Sequence, residues 1–189
     1  MPRAPLRVGF DLDGVLLYNP ARIFRPITVT LKKVFKRAPQ KKTHFYYPKS
    51  PIEQWLWTFV HYSSLFISPG YEDIQKLIKD GTIEAYIITS RYDCLLPDFN
   101  RWLKSMHASE YFKGTFHNKD NLQPHVFKEM KVNELGLDYF VEDNWDIVSH
   151  LNETTKAKTL WISNTIDWHI PYPTKFLSLK DAVTHLASA

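Results

Sequence analysis

A short apolar strand that ends in two aspartates is the feature that most restricts the fold of this chain. The segment 8–16 reads Val-Gly-Phe-Asp-Leu-Asp-Gly-Val-Leu. An apolar run of this length followed by a glycine turn predicts a buried strand that leaves the edge of a sheet, where parallel sheets usually bind their ligands. We therefore expect the chemistry of this protein at the end of its first strand.

The two aspartates of this segment suit phosphoryl transfer. Asp11 and Asp13 are two residues apart, so both carboxylates can face one magnesium ion and one phosphate. A carboxylate can attack phosphorus to form an aspartyl-phosphate, and oxygen ligands are those that magnesium prefers. An EF-hand calcium loop does not fit, because Leu16 and Leu17 follow where further oxygen ligands are required. The alternative is a surface turn that carries two solvated aspartates.

The rest of the chain alternates strands and helices from residue 69 onward. Helices are predicted over 71–80, 97–106, 124–135, 145–151 and 179–187, and strands over 84–90, 114–117, 138–141 and 159–162. Such alternation predicts an α/β fold in which a doubly wound parallel sheet is covered by helices on both faces, giving three layers.

Residues 20–67 lack this alternation and are rich in proline, aromatic and basic residues. We interpret them as an insertion, so that residues 1–18 and 68–189 form a catalytic core and residues 19–67 form a small helical cap. The apolar stretch 55–67 is too short for the ~20 residues that span a bilayer. No membrane association is expected.

Composition restricts the class of protein further. With 189 residues, 44% of them hydrophobic, the chain can bury a core of its own. Its single cysteine, Cys94, excludes an internal disulfide, and no secretory signal is apparent, so a reducing, cytoplasmic location is expected. The net charge of +4 favours anionic ligands in general. Much of the excess lies in 32–42, whose spacing is typical of the solvated face of an amphipathic helix.

Polar residues also follow the strand predicted over 84–90. Thr89 and Ser90 offer a hydroxyl and a backbone amide to a phosphate oxygen, and the guanidinium of Arg91 follows directly. The alternative is that Thr89 and Ser90 only cap the next helix.

A lysine and two carboxylates belong to the same predicted edge. Glu142 and Asp143 follow the strand predicted over 138–141, and Lys128 lies on the preceding helix. The carboxylates can complete a magnesium site, and the ammonium group can neutralise charge between nucleophile and phosphate. Alternatively, Lys128 is a surface lysine, and the acidic residues, including Asp146, are a solvated helix start favoured by the helix dipole.

These segments together resemble the four motifs of the haloacid dehalogenase superfamily of phosphatases and phosphotransferases. Residues 11–15 resemble its first motif, 87–89 its second, Lys128 its third and 141–143 its acidic fourth. The resemblance covers the predicted core and leaves the cap unmatched. It implies the Rossmann-like fold of that superfamily and a Mg²⁺-dependent phosphatase activity.

The resemblance also implies roles for individual residues. Asp11 would attack phosphorus, and Asp13 would protonate the leaving oxygen and later activate water. Members that act as dehalogenases lack this second aspartate, so Asp13 argues against dehalogenation. Thr89 and the amide of Ser90 would hold the phosphoryl group, and Lys128 would offset its charge.

The same resemblance implies how Mg²⁺ would be held. Asp11 would contribute its carboxylate and Asp13 its backbone carbonyl. In the fourth motif a Glu-Asp pair replaces the commoner Asp-Asp and Gly-Asp forms, so Asp143 is the first choice as metal ligand and Glu142 the second. Asp146 is assigned to a metal-bound water.

The substrate predicted in this way is a small phosphorylated metabolite, bound by a monomer or a homodimer. A nucleoside monophosphate is one candidate, because the Thr-Ser-Arg triplet 89–91 resembles the second motif of the deoxyribonucleotidases. Sugar phosphates and phosphoglycolate are alternatives. The cap residues assigned to substrate contacts are Arg22, Phe24, Arg25, Trp55, His61 and Tyr62.

A different class of function is a catalytically quiet module whose basic cap binds RNA or another polyanion. Few aromatic residues are interleaved with the lysines of 32–42. A nucleic-acid partner is therefore not expected.

Overall fold

The computed structural model describes residues 4–20, 45–61 and 64–189. The strands are Leu6–Phe10 (β1), Leu17–Tyr18 (β2), Phe66–Ile67 (β3), Ile83–Tyr92 (β4), Gly114–Asn118 (β5), Tyr139–Glu142 (β6), Lys158–Ile162 (β7) and Lys175–Phe176 (β8). The α-helices are Pro51–His61 (α1), Tyr71–Lys79 (α2), Leu96–Ser105 (α3), Ala108–Tyr111 (α4), Pro124–Glu134 (α5), Trp145–Thr154 (α6) and Leu179–Ala187 (α7). Short 3₁₀ turns occupy Asp93–Leu95 and Thr165–His169.

Six of these strands form one parallel sheet in the order β5-β4-β1-β6-β7-β8. From β1 the chain moves outward through β4 and β5, and then returns to the other side of β1 for β6, β7 and β8. The direction of winding therefore reverses between β1 and β6. In open α/β sheets, ligands bind at such a switch point, beyond the carboxyl ends of the strands.

Helices cover both faces of the sheet, as the sequence predicts. Alternate residues of β4 face opposite sides, so that Ala85 and Ile87 join one apolar core while Tyr86 and Ile88 join the other. The first core is completed by residues of α2, α3 and α7, and the second by residues of α5 and α6. The result is the predicted three-layer α/β fold.

Local chemistry explains where several helices begin. The side chain of Asn144 accepts a hydrogen bond from the backbone N–H of Asp146 at the start of α6. At the start of α7, the side chain of Ser178 accepts one from the backbone N–H of Asp181. Proline lies in the first turn of both α3 and α5, where its missing N–H costs nothing. The sequence contains these signals, and the predicted helix starts agree with the structure to within one residue.

The predicted insertion leaves and re-enters the core through a small ribbon. Leu17–Tyr18 pairs antiparallel with Phe66–Ile67. Two-residue strands have too few residues to show a periodicity, so these two strands were not predicted from the sequence. The division into residues 1–18, 19–67 and 68–189 stays a prediction.

The described part of the insertion lies beside the carboxyl end of β4. The backbone N–H of Phe45 donates to the side-chain oxygen of Gln123 at 2.8 Å, and the ring of Tyr47 packs edge-on against Tyr92 at a centroid distance of 4.9 Å. Both partners lie at the edge of the sheet where Asp11 and Asp13 follow β1.

In residues 4–20, 45–61 and 64–189, no helix has both the length and the apolar character needed to cross a bilayer.

We expect Ile87→Ala to lower the free energy of unfolding by about 2–5 kcal/mol, because Ile87 is fully buried in a central strand and its truncation leaves a cavity. Urea denaturation monitored by circular dichroism measures the change. The matched control is Ile52→Ala, at a side chain that is 74% exposed, for which the expected change is within about 0.5 kcal/mol. Equal losses in the two variants would contradict the core described above.

Candidate active site

Three adjacent strands bring the candidate residues to one edge of the sheet. Phe10 of β1 pairs with Ile87 of β4 on one side and with Val141 of β6 on the other. The residues that directly follow these three in the chain therefore lie at one level across the sheet. Asp11 stands at the centre of this edge, next to the switch point.

Lys128 connects two of the carboxylates. Its ammonium nitrogen lies 2.9 Å from Oδ1 of Asp11 and 2.5 Å from Oε2 of Glu142. The other oxygen of Glu142 accepts the backbone N–H of Asn144 at 3.0 Å. Lys128 is only 2% exposed, although lysine is rarely buried without a charged partner. The alternative of a surface lysine is therefore wrong.

Burial controls the electrostatics of this group. Removal from water, together with the nearby charges of Asp143 and Asp13, raises the pKa of Asp11 to about 6 against the opposing effect of Lys128. Burial likewise raises the pKa of Glu142 to about 8. For Lys128 burial lowers the pKa, but the ion pairs with Asp11 and Glu142 outweigh it and the net shift is upward.

Asp143 lies against the turn that follows β1. Gly14 has a positive φ of 83°, and a Cβ atom at Gly14 would lie 2.2 Å from Oδ2 of Asp143. A glycine is therefore required here for two reasons, backbone conformation and space. The backbone carbonyl of Asp143 accepts the indole N–H of Trp161 at 3.3 Å.

The residues present fit a divalent cation. Asp11, Glu142 and Asp143 are all buried, and one oxygen of each lies within 4.8 Å of the others. Lys128 contacts two of these three carboxylates, those of Asp11 and Glu142. Carboxylate oxygens are the ligands that Mg²⁺ prefers. Both oxygens of Glu142 already accept hydrogen bonds, one from Lys128 and one from the backbone N–H of Asn144, which argues against Glu142 as a direct ligand.

Asp13 is held from two sides. Arg91 donates to both of its oxygens, from Nε to Oδ2 and from Nη2 to Oδ1, each at 2.8 Å. The hydroxyl of Ser64 donates to Oδ1 at 2.7 Å. Asp11 and Asp13 are both buried, so the alternative of two solvated turn residues is wrong.

The guanidinium of Arg91 has protein partners that the sequence did not indicate. It ion-pairs with Asp13 and with Asp98, the latter at 2.6 Å, and its assignment to the substrate phosphate stays a prediction. Burial lowers the pKa of Arg91, yet the two ion pairs raise it above the ordinary value. Sequence order could not show this, because Asp13 and Arg91 are 78 residues apart.

The phosphate ligands predicted on β4 have other contacts in the structure. Thr89 is buried and its hydroxyl oxygen accepts the backbone N–H of Arg91 at 3.3 Å. The hydroxyl of Ser90 donates to the carbonyl of Pro124 at 3.4 Å. Both residues lie within β4, so the alternative of helix caps is wrong. Their assignment to a phosphoryl group stays a prediction.

The acidic residues after β6 are not a solvated helix start. Glu142 and Asp143 are buried, whereas Asp146 is exposed in the first turn of α6. The helix is capped by Asn144, which precedes it. Only Asp146 fits the description of a solvated first-turn acid.

The predicted cap contacts are described only in part. Arg22, Phe24, Arg25 and Tyr62 lie outside the described residues, and so does the side chain of His61. Trp55 lies on α1 and is 67% exposed.

Three residues that contact the site were not predicted from the sequence, namely Ser64, Asp98 and Trp161. Ser64 lies within the apolar stretch 55–67 and belongs to no motif, and Asp98 reads as an ordinary first-turn acid of α3. Trp161 reads as an apolar strand residue. Only the tertiary contacts identify them.

Solved structures share this fold. A Had-superfamily hydrolase from Ehrlichia chaffeensis is 13% identical with a TM-score of 0.55, over 100% of this chain and 98% of that one. CbbY from Rhodobacter sphaeroides, solved in complex with phosphate, is 14% identical with a TM-score of 0.57, over 94% and 96%. A HAD hydrolase of family IA, variant 3, from Entamoeba histolytica is 11% identical with a TM-score of 0.60, over 97% and 100%.

These similarities establish a fold shared with haloacid dehalogenase superfamily hydrolases, which confirms the resemblance based on the four motifs at the level of the fold. No protein-family model matches the chain, and no curated protein matches it in sequence.

We expect Mg²⁺ to raise the melting temperature at pH 8 by about 5–10 °C when its concentration is about a hundred times the dissociation constant. At pH 5 the rise should be smaller, because burial raises the pKa of Asp11 to about 6 and of Glu142 to about 8, so protons compete with the metal. Differential scanning fluorimetry measures both shifts. Asp143→Asn should abolish them, and the exposed control Asp120→Asn should not. Equal shifts in the two variants would refute the site.

Proposed function

We propose that this chain, which has the fold of the haloacid dehalogenase superfamily hydrolases, is a Mg²⁺-dependent phosphomonoester hydrolase that works through an aspartyl-phosphate. The observation that carries the proposal is the position of Asp11. It lies at the switch point of the sheet, buried, 2.9 Å from the ammonium group of Lys128, and in one cluster with Glu142 and Asp143.

The proposed reaction has two steps on Asp11. Its carboxylate oxygen attacks phosphorus, the bond from phosphorus to the ester oxygen breaks, and the leaving alcohol takes a proton. Water then attacks the aspartyl-phosphate, which releases inorganic phosphate and restores the carboxylate. Catalysis of this kind depends mainly on positioning and charge neutralisation.

Other residues of the edge support these steps. Lys128 would offset the negative charge that develops between Asp11 and the phosphoryl group. Asp13 would supply the proton in the first step and accept one from water in the second. Thr89 and the amide of Ser90 would hold phosphoryl oxygens.

A bound Mg²⁺ would supply charge stabilisation for the phosphoryl oxygens. Asp11 and Asp143 would hold it, with the backbone carbonyl of Asp13. Glu142 would act through Lys128, to which it is paired at 2.5 Å.

For the substrate we propose a small phosphorylated metabolite, with a nucleoside monophosphate as the first choice. The triplet 89–91 supports this choice, and so does the exposed ring of Trp55 on α1, whose helix belongs to the segment beside the catalytic edge. Such a ring can stack on a base. A sugar phosphate or phosphoglycolate is the alternative, and CbbY, which shares the fold, binds phosphate in its solved structure.

The second class of function, a catalytically quiet polyanion-binding module, rests on the basic segment 32–42, which lies outside the described residues. No contact of the described residues favours it. A cytoplasmic location belongs to the same proposal as the phosphatase and rests on the single cysteine of the sequence, Cys94.

We expect the wild-type protein to hydrolyse an aryl phosphate in the presence of Mg²⁺, and EDTA to abolish this activity. Asp11→Asn should retain less than about a hundredth of the wild-type rate, because the amide fills the same volume but cannot attack phosphorus. Release of the aryl alcohol measures the rate, and circular dichroism checks the fold.

The control Asp120→Asn should retain full activity. Hydrolysis by Asp11→Asn at more than about a hundredth of the wild-type rate would contradict the aspartyl-phosphate mechanism. Full activity in EDTA would remove the metal from the proposal.

We expect kcat/KM for a nucleoside monophosphate to exceed that for a sugar phosphate by at least about tenfold. Trp55→Ala should lower it about tenfold, since stacking on a base contributes about 1–3 kcal/mol, while activity on the aryl phosphate stays the same. Leu56→Ala, at a neighbouring exposed position of α1, is the control. If Trp55→Ala lowers kcat/KM equally for every phosphate ester, Trp55 has no role in choosing the base.

A further inference from the structure

One buried arginine has no part in bond making or breaking in the proposed reaction, and yet it contacts Asp13, the proposed acid and base. The side chain of Arg91 is 1% exposed and forms a two-pronged ion pair with Asp13, from Nε to Oδ2 and from Nη2 to Oδ1, each at 2.8 Å. A pair of this geometry restrains the carboxylate in angle as well as in distance, because the guanidinium is planar and its donors are fixed relative to each other.

Strand β4 is irregular at the position of Arg91. The pairing of β4 with β5 shifts register between Thr89 and Tyr92. Such irregularities re-aim side chains and are common next to active sites. Arg91 lies within this irregularity, so its side chain is directed by the backbone as well as by its partners.

A second carboxylate fixes the far side of the guanidinium. Nη1 of Arg91 donates to Oδ2 of Asp98 at 2.6 Å. Arg101, one turn further along α3, donates to Oδ1 of Asp98 from Nε at 2.9 Å and from Nη2 at 2.5 Å. The charges along this chain alternate in the order Asp13, Arg91, Asp98, Arg101, so the two buried acids are matched by two arginines.

We propose that Arg91 is a positioning residue, which orients the carboxylate of Asp13 for proton transfer and is itself held in place by Asp98. This inference rests on the proposed function. The proposed role differs from phosphate binding, because Nε, Nη1 and Nη2 of Arg91 each donate to a carboxylate of the protein, Asp13 or Asp98, and the guanidinium is buried.

A merely structural role is the competing explanation. Removing one partner of a buried ion pair destabilises a protein strongly whether or not the pair serves catalysis. Loss of activity in a single variant of Arg91 is therefore insufficient. The test must ask whether Arg91 acts through Asp13.

A double-mutant cycle answers this question. Wild-type protein, Arg91→Lys, Asp13→Asn and the double variant are compared with a fluorogenic aryl phosphate and Mg²⁺, at enzyme concentrations high enough to follow the slowest variant. We expect Arg91→Lys to lower kcat about 10- to 100-fold with KM within about twofold, because lysine keeps the charge but loses the two-pronged geometry. In the Asp13→Asn background the same substitution should change kcat less than about twofold.

Two kinetic outcomes overturn the proposal. An equal fall in kcat in both backgrounds means that Arg91 does not act through Asp13. A rise in KM above about tenfold with kcat unchanged means that Arg91 contacts the substrate, as lost uniform binding has this signature. The control is Arg7→Lys. Arg7 lies at the start of β1 and forms an ion pair with Glu84 at 3.2 Å, so this variant alters a different arginine ion pair and should leave kcat and KM unchanged.

If Arg91→Lys does not fold, Arg101→Gln replaces it. Arg101 is 53% exposed, so its loss is tolerated more easily, and it loosens Asp98 without touching Asp13. The proposal is supported if Arg101→Gln lowers kcat in the protein that has Asp13 and leaves kcat unchanged in the Asp13→Asn background. It is overturned if Arg101→Gln changes kcat by the same factor in both backgrounds, or changes it in neither.

Failure of the proposed function gives a different pattern. If the wild-type protein with Mg²⁺ hydrolyses none of the phosphate esters, the phosphatase proposal fails and the role of Arg91 falls with it. If the wild-type protein is active and the cycle is additive, only the role of Arg91 is refuted.

Discussion

The burial of several carboxylates at one edge of the sheet is the constraint on which this structure depends. Ionised carboxylates are costly to remove from water unless cations accompany them. Two cationic side chains meet this need. Lys128 lies between Asp11 and Glu142, and Arg91 lies between Asp13 and Asp98. The sheet can carry adjacent acids at its centre because each pair of acids has a buried cation between its members.

The two cations act from opposite faces of the sheet. Lys128 belongs to α5, which packs on the face of Tyr86 and Ile88, whereas Asp98, which holds Arg91, belongs to α3 on the other face. The helical layers therefore have a second task besides covering the core. A three-layer fold can hold two acids that are two residues apart, Asp11 and Asp13, in different electrostatic surroundings.

The insertion is connected to the same group of charges. Ser64, on the returning segment of the insertion, donates a hydrogen bond to Asp13 at 2.7 Å, and Asn19, on the departing segment, donates to Ser64 at 3.4 Å. Both residues are buried. The point at which the insertion joins the core is thus also a contact of the candidate acid and base.

Local sequence signals were sufficient for five of the six strands of the sheet and for its longer helices, but the short elements Lys175–Phe176 and Ala108–Tyr111 were not predicted. Apolar periodicity and helix-start residues such as Pro124 and Asn144 act over a few positions, and the predicted elements agree closely with the structure. The pairing of Leu17–Tyr18 with Phe66–Ile67 could not be predicted, because two residues have no periodicity and the partners are far apart in the chain.

The sequence by itself determined which acids and which lysine stand at the carboxyl end of the sheet, since Asp11, Lys128 and Asp143 follow from the order of strands and helices. Only the tertiary structure decided how these charges are paired. Arg91, read from the sequence as a phosphate ligand, is paired with Asp13. The physical reason is that a buried guanidinium takes the nearest carboxylates that can satisfy it, and which carboxylates are nearest depends on how β4 and α3 pack rather than on their separation in sequence.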